Sequence, residues 1–174
     1  IYNKQLSVSP ITTNINIKKI SKKITKKLIF DKLVTINEFF VKQFKFKPNI
    51  GLLGLNPHND ELRNDSEEKK IIIPTVRRLK KRKIRVYGPL SGDTAFINLK
   101  KNKFNVIVGM YHDQVLAPFK AMYKFDAINI TLGLSYIRVS PDHGTGENII
   151  KKNIADPKSL LETIYFLKKI NVRS

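Results

Sequence analysis

The chain has 174 residues, room for one ordinary domain or for one and part of a second. With 41% hydrophobic and 9% aromatic residues it can build a packed core, and the absence of cysteine excludes disulfide frameworks, thiolate catalysis, zinc ribbons and iron–sulfur clusters. The net charge of +19 rests on 26 lysines and only seven arginines; with 23 isoleucines, 15 asparagines and five alanines it reads as A/T-rich coding and a solvated lysine surface, so no nucleic-acid partner is expected.

Leu6 and Val8 alternate with small polar residues up to Pro10, a short strand running into the loop Thr12-Thr13-Asn14. Thr25 is an N-cap for a helix reaching Phe44, with Ile29, Leu33, Ile36, Phe40 and Phe44 as its buried stripe. Residues 50–55 form a buried strand ended by Asn56-Pro57-His58, and a helix is expected over 66–83, with Pro74 implying a kink. Strands follow at 84–87, ended by Gly88-Pro89, and at 105–110, ended by Tyr111-His112-Asp113-Gln114. Two more are expected at 127–131 and 136–139, the second leading into Ser140-Pro141-Asp142-His143-Gly144-Thr145-Gly146. Asp156 and Pro157 open a closing helix to about Ile170. Apolar strands alternating with helices predict a layered α/β fold. No run approaches the roughly 18 apolar residues of a membrane span, and the start of the chain lacks a continuous apolar segment, so a soluble, cytoplasmic protein with no membrane partner is expected.

Each of the three histidines, His58, His112 and His143, lies just beyond an apolar strand, where open α/β sheets gather ligands. Imidazoles converging there suit a divalent metal, with Asp93 or Asp113 as a neighbour; the plainer reading is that each bonds its own loop. Gly88-Pro89-Leu90-Ser91-Gly92-Asp93-Thr94 either brings backbone to a ligand or is a turn followed by an N-cap aspartate. His143-Gly144-Thr145 could face phosphate or ribose, although it is not a G-x-G-x-x-G fingerprint. Lys120, Asn129 and Arg138, nine residues apart, are either surface residues or a set able to hold a phosphorylated, carboxylated small molecule.

Five runs occur in order: Gly54-Leu55-Asn56-Pro57-His58; Gly88-Pro89-Leu90 with Asp93-Thr94; Met110-Tyr111-His112-Asp113-Gln114; Asn129-Ile130-Thr131-Leu132-Gly133-Leu134; and Asp142-His143-Gly144-Thr145. Together they closely resemble the 4-hydroxythreonine-4-phosphate dehydrogenase family of vitamin B6 biosynthesis, over nearly the whole chain. The resemblance implies a layered α/β/α fold similar to isocitrate and isopropylmalate dehydrogenases, incomplete at the N-terminus. Residues 1–150 would be the central α/β domain with the metal and substrate motifs, and 151–174 a helix returning to a preceding domain. It implies NAD-dependent (NADP possible) oxidation of 4-phosphooxy-L-threonine and decarboxylation to 3-amino-2-oxopropyl phosphate, in a homodimer with a divalent metal (Zn, Mg or Co) in a shared site. By motif, His58 and His112 would be metal ligands, and Asp93 and Lys120 catalytic. Lys120, Asn129 and Arg138 would bind substrate; His143, Gly144 and Thr145 would bind the cofactor. The family's third histidine ligand follows a Thr-Thr pair; here Thr12-Thr13 is followed by Asn14, a poorer ligand for zinc-like metals. Glycines of the family are replaced within Asn59-Asp60-Glu61-Leu62-Arg63 and, beyond Gly146, at Lys151 and Asn153. Two rival expectations are a truncated or decayed member without activity and a basic nucleic-acid-binding module.

Overall fold

The computed structural model describes residues 1–97 and 99–171. The elements in chain order are β1 (Ser7–Pro10), α1 (Ile20–Lys23), α2 (Lys26–Phe44), β2 (Ile50–Leu53), α3 (Ile73–Lys81), β3 (Val86–Leu90), α4 (Leu99–Asn102), β4 (Val106–Gly109), α5 (His112–Tyr123), β5 (Ile128–Thr131), β6 (Arg138–Pro141) and α6 (Lys158–Asn171). The first four strands form one sheet in the order β1-β4-β2-β3, every neighbouring pair parallel. All four carboxyl ends therefore open on one edge.

Strand periodicity sorts the core into two faces. Val106, Val108 and Met110 join Ile50, Leu52 and Val86 on the side covered by α2 and α3, while Ile107, Val8 and Leu53 meet Val115, Leu116 and Phe119 of α5 on the other. This is the layered α/β/α arrangement expected. The α2 boundary matches too: Thr25 Oγ1 accepts the Leu28 N–H at 3.1 Å, and Ile29, Leu33, Ile36 and Phe40 are buried together with Phe30. Each such side chain contributes roughly 1.5–3 kcal/mol relative to exposure, which fixes this helix on the sheet.

A separate two-stranded sheet, β5 antiparallel to β6, packs under α6 through Ile128, Phe166 and Ile170. Phe44 at the end of α2 reaches the same cluster, 5.3 Å from the Tyr2 ring and 6.2 Å from Phe166. The cap of α6 is as expected, Asp156 Oδ1 accepting the Lys158 N–H at 2.9 Å, and the helix is described to Asn171; the rest of the 151–174 segment, 172–174, lies outside the described residues.

Three expectations change. The 66–83 helix is divided: Glu68–Ile72 is π-helical, with the Ile73 N–H bonded to the Glu68 carbonyl, and α3 follows. Pro74 has no N–H to give, and the wider turn keeps its ring clear of the preceding carbonyls, so the proline is absorbed without a break. β3 does not stop at Gly88-Pro89 but runs through both to Leu90. It is an edge strand, where proline is tolerated, and Gly88 at φ +153° lies so close to the Leu52 carbonyl that an added Cβ would stand 2.3 Å from its oxygen. Finally, Tyr111-His112-Asp113-Gln114 is no loop: His112 opens the twelve-residue helix α5, which the sequence reading lacked.

Candidate functional site

Residues that follow β1, β2, β3 and β4 share the carboxyl edge of the sheet. Thr12, after β1, is buried and donates its hydroxyl to the Met110 carbonyl at 2.7 Å, tying the first loop to the end of β4. Asn14 beyond it is exposed, at φ +52°.

After β2, the Gly54-Leu55-Asn56 backbone is gripped by the fully buried carboxylate of Glu68. It accepts the Leu55 and Asn56 N–H groups at 2.7 and 2.9 Å and the Asn56 side-chain amide at 3.1 Å. A buried carboxylate needs such donors, and here they shape the loop that carries His58. From His58 to Leu62 five successive non-glycine residues hold φ between +47° and +58°, a left-handed turn. It overlaps Asn59-Asp60-Glu61-Leu62-Arg63, a stretch that contains no glycine. Lys151 and Asn153, at φ +64° and +52°, likewise keep a glycine-like backbone without glycine.

Asp93 follows β3 and is exposed. The Ser91 hydroxyl is the main influence holding its carboxyl below the ordinary value; partial desolvation opposes this and nearby His58 adds to it. Ser91 Oγ is buried without a partner in hydrogen-bonding geometry, so it neighbours the carboxylate rather than locking onto it. His58 and Asp93 thus lie on adjacent loops, close enough for the imidazole to influence the carboxyl.

His112 begins α5 after β4, half-exposed, with Nδ1 2.6 Å from Asp113 Oδ1. Gln114, in the same turn, accepts the Met110 N–H at 2.6 Å and donates to the Gly54 carbonyl at 2.8 Å. Two turns further on, Lys120 donates from Nζ to the Asp142 carbonyl at 2.8 Å. The same ammonium stands 2.6 Å from Asp142 Oδ2, at an angle outside hydrogen-bonding geometry, and 5.0 Å from the Phe125 ring centre. Asp142 is itself nearly buried, and its N–H donates to Ser159 Oγ of α6 at 2.8 Å, which in turn donates to the Ala127 carbonyl at 2.6 Å.

An open cavity of about 440 Å³ brings together His112, Lys120, Asn129, His143 and Gly144, with Asp113 and Asp142 in its wall. These come from the end of the main sheet, from β5 and from the loop after β6, so residues more than thirty apart in sequence meet in one cleft. Arg138 is paired across the β5–β6 ladder with Thr131, bonding its hydroxyl at 2.9 Å, while Asn129 faces Ser140. Pleating puts Asn129 and Arg138 on one face of that ladder, but Arg138 is outside the cavity lining. Thr145 is outside it too, its hydroxyl 3.5 Å from Glu147 Oε1. His143 bonds back to the Gly144 carbonyl at 3.0 Å.

Sequence reasoning missed Glu68 and Ser159, which carry no motif, and gave no part to Gln114 or Asp142 although both lie inside quoted runs. A donor set for a metal is incomplete: among the described residues no three His, Asp or Glu side chains are grouped to hold one. Two imidazoles at neighbouring strand ends do not make a centre by themselves, and Asn14 adds no imidazole. Gly144 borders open space, since an added Cβ there would meet nothing within 4 Å. No described helix is long and apolar enough to cross a membrane.

A sequence profile for the family described as "Pyridoxal phosphate biosynthetic protein PdxA" matches residues 1–167. The chain is 48% identical over 163 residues to 4-hydroxythreonine-4-phosphate dehydrogenase of Sulfurihydrogenibium sp. (strain YO3AOP1), covering 92% of this chain and 50% of that protein. It is 42% identical to the enzyme of that name from Aquifex aeolicus, covering 98% and 53%. The crystal structure of 4-hydroxythreonine-4-phosphate dehydrogenase from Klebsiella pneumoniae superposes with a TM-score of 0.82 at 29% identity, over 99% of this chain and 52% of that one. The chain therefore spans about half the length of the relatives it matches. By the extent of the profile match and the identity of its relatives, it belongs to the family of the pyridoxal phosphate biosynthetic protein PdxA.

Proposed function

We propose that the chain forms the substrate- and cofactor-facing half of a 4-hydroxythreonine-4-phosphate dehydrogenase acting in vitamin B6 biosynthesis. The observation that supports this reading is one cleft lined by His112, Lys120, Asn129, His143 and Gly144, which brings three of the family's runs together with Lys120 of α5. The substrate is 4-phosphooxy-L-threonine. Its phosphate and carboxylate meet the Lys120 ammonium and the Arg138 guanidinium, whose fork suits either group, while the Asn129 amide supplies a neutral donor and acceptor beside them.

When bound, NAD or NADP would supply the hydride acceptor for the secondary carbinol carbon, whose hydroxyl proton passes to solvent. Its contacts are assigned to His143, Gly144 and Thr145. The resulting β-keto acid breaks the bond to its carboxylate carbon, CO2 leaves, and the electron pair moves into the ketone to give an enolate. Lys120, held at the rim by Asp142, is the positive charge placed to stabilise that enolate, and protonation at carbon yields 3-amino-2-oxopropyl phosphate. Asp93, ionised beside His58, contributes negative field at the opposite side of the edge. His58 and His112 are this chain's share of a divalent metal site (Zn, Mg or Co) whose remaining ligands come from elsewhere, as in a homodimer with a shared site. Because the set is incomplete here, no step is routed through the metal.

Titrating 4-phosphooxy-L-threonine into the chain in a calorimeter tests the reading. Saturable binding is expected, weakened at least tenfold in Lys120→Ala and in Arg138→Ala; equal affinity in both variants, or no heat with the unaltered chain, overturns it. The incomplete donor set favours one second reading, a family member that keeps the fold and the cleft without turnover. Binding of substrate without NADH formation under any divalent metal would support that reading instead.

A further inference from the structure

Three loops that bear chemistry meet at the carboxyl edge of the main sheet, and one side chain bonds two of them and lies close to the third. Gln114 accepts the Met110 N–H through Oε1 at 2.6 Å, two residues before His112. Through Nε2 it donates to the Gly54 carbonyl at 2.8 Å, at the start of the loop that carries His58. A Cβ added at Gly92, next to Asp93, would lie 3.7 Å from the same nitrogen. At Gly109 an added Cβ would stand 2.9 Å from Gln114 Oε1 and 2.6 Å from Val115 Cγ1, so the turn closes tightly enough for this reach only with glycine there.

We propose that Gln114 is a positioning residue, a strut across the sheet edge that holds the His58 loop against the helix beginning at His112. The inference rests on reading this edge as part of the active site, and concerns how its parts are kept in register. A primary amide carries a donor and an acceptor side by side on one small neutral plane, and this site needs both. Glutamate keeps the acceptor but sets an oxygen against the Gly54 carbonyl; methionine fills the volume and offers neither bond. On the far side Glu68 grips Leu55 and Asn56, so the backbone leading to His58 is held from both flanks. The β2–β4 pairing does not pass through Gln114, and its loss leaves the sheet intact.

The chain's three histidines make the test direct, because each ring gives its own Cε1–H signal in a heteronuclear spectrum. In Gln114→Met the signals of both His58 and His112 are expected to shift and broaden while His143 stays in place, with an unfolding midpoint close to that of the unaltered chain. Gln114→Glu, which differs by one group and retains the Met110 bond, covers the case in which the methionine variant fails to fold; there the His58 signal broadens and His112 remains sharp. A folded variant in which only His112 responds overturns the proposal, since Gln114 would then be a local helix cap. The reading of the edge as an active site is checked separately, by adding 4-phosphooxy-L-threonine to the unaltered chain. If neither His112 nor His143 moves, that reading fails while the strut remains measurable.

Discussion

Glu61 occupies the left-handed region at φ +47°, within a run whose five members all carry a Cβ. The conformation costs an L-residue about 1–2 kcal/mol, and glycine escapes that cost at the expense of a more flexible unfolded chain. Glu61 is exposed, so Glu61→Gly is expected to raise stability by about 1 kcal/mol, read as a higher urea midpoint at unchanged slope; a lower midpoint would show the turn to be unstrained. Ser159 carries the opposite expectation. It is 1% exposed, accepts from Asp142 and donates to Ala127, so Ser159→Ala leaves two buried backbone groups unpaired and should cost roughly 1–3 kcal/mol. The same change frees the Asp142 loop that holds Lys120. Lys120, Asn129, His112 and His143 were legible in the sequence because chemistry demands those residue types in ordered motifs. Ser159 and Glu68 were not, because a serine near the start of a helix and a glutamate in an acidic pair look solvated until the fold buries them.

At the level of elements, α2 and α6 were readable at both ends, while α5 was missed altogether. Thr25 and Asp156 announce α2 and α6 through side-chain chemistry that any sequence displays. The ends carry lysine where glycine is usual: Lys45, Lys83, Lys103 and Lys124 all sit at positive φ next to a helix terminus or its turn. With eight glycines in the chain, the usual stop signal was missing, and α5, with Pro118 inside it and a strand-like apolar run before it, passed as a loop. The expected outcome follows from the mechanism. Lys45→Gly relieves the left-handed cap of α2 (φ +62°) and should stabilise the chain by about 0.5–1 kcal/mol, whereas Thr25→Ala at the other end of the same helix should cost about 1 kcal/mol. Thermal unfolding of both single variants and the double variant checks this. Nineteen helical residues separate Thr25 from Lys45, so the effects should add; a double variant departing from the sum by more than about 0.5 kcal/mol would show that the helix does not respond as two independent ends.

For the whole molecule the dominant fact is a charge of +19 on 174 residues. The ion pairs among the described residues are mostly at the surface, such as Lys4–Glu162 and Lys27–Asp31, and pairs of that kind contribute little. Lysines 18, 19, 22, 23, 26 and 27 crowd the start of α2, where the helix dipole gives them no favour. Folding brings these like charges closer than they stand in the extended chain, so self-repulsion opposes the compact state. Screening by salt should relieve it, with a Debye length falling from about 30 Å at 0.01 M to about 8 Å at 0.15 M. The unfolding temperature is therefore expected to climb as sodium chloride rises over that range and to level off once the screening length is shorter than the spacing of the lysines. A flat or falling curve would mean that the lysine surface is already neutralised by contacts the folded chain makes. The same titration separates a solvated surface from a polyanion-binding one. A nucleic-acid footprint gives retention on DNA that declines linearly in log–log form with salt and persists at physiological strength, while a merely solvated face loses retention well below it. The sequence read this surface as the product of lysine-rich coding, and loss of retention by about 0.15 M salt is the outcome that reading requires.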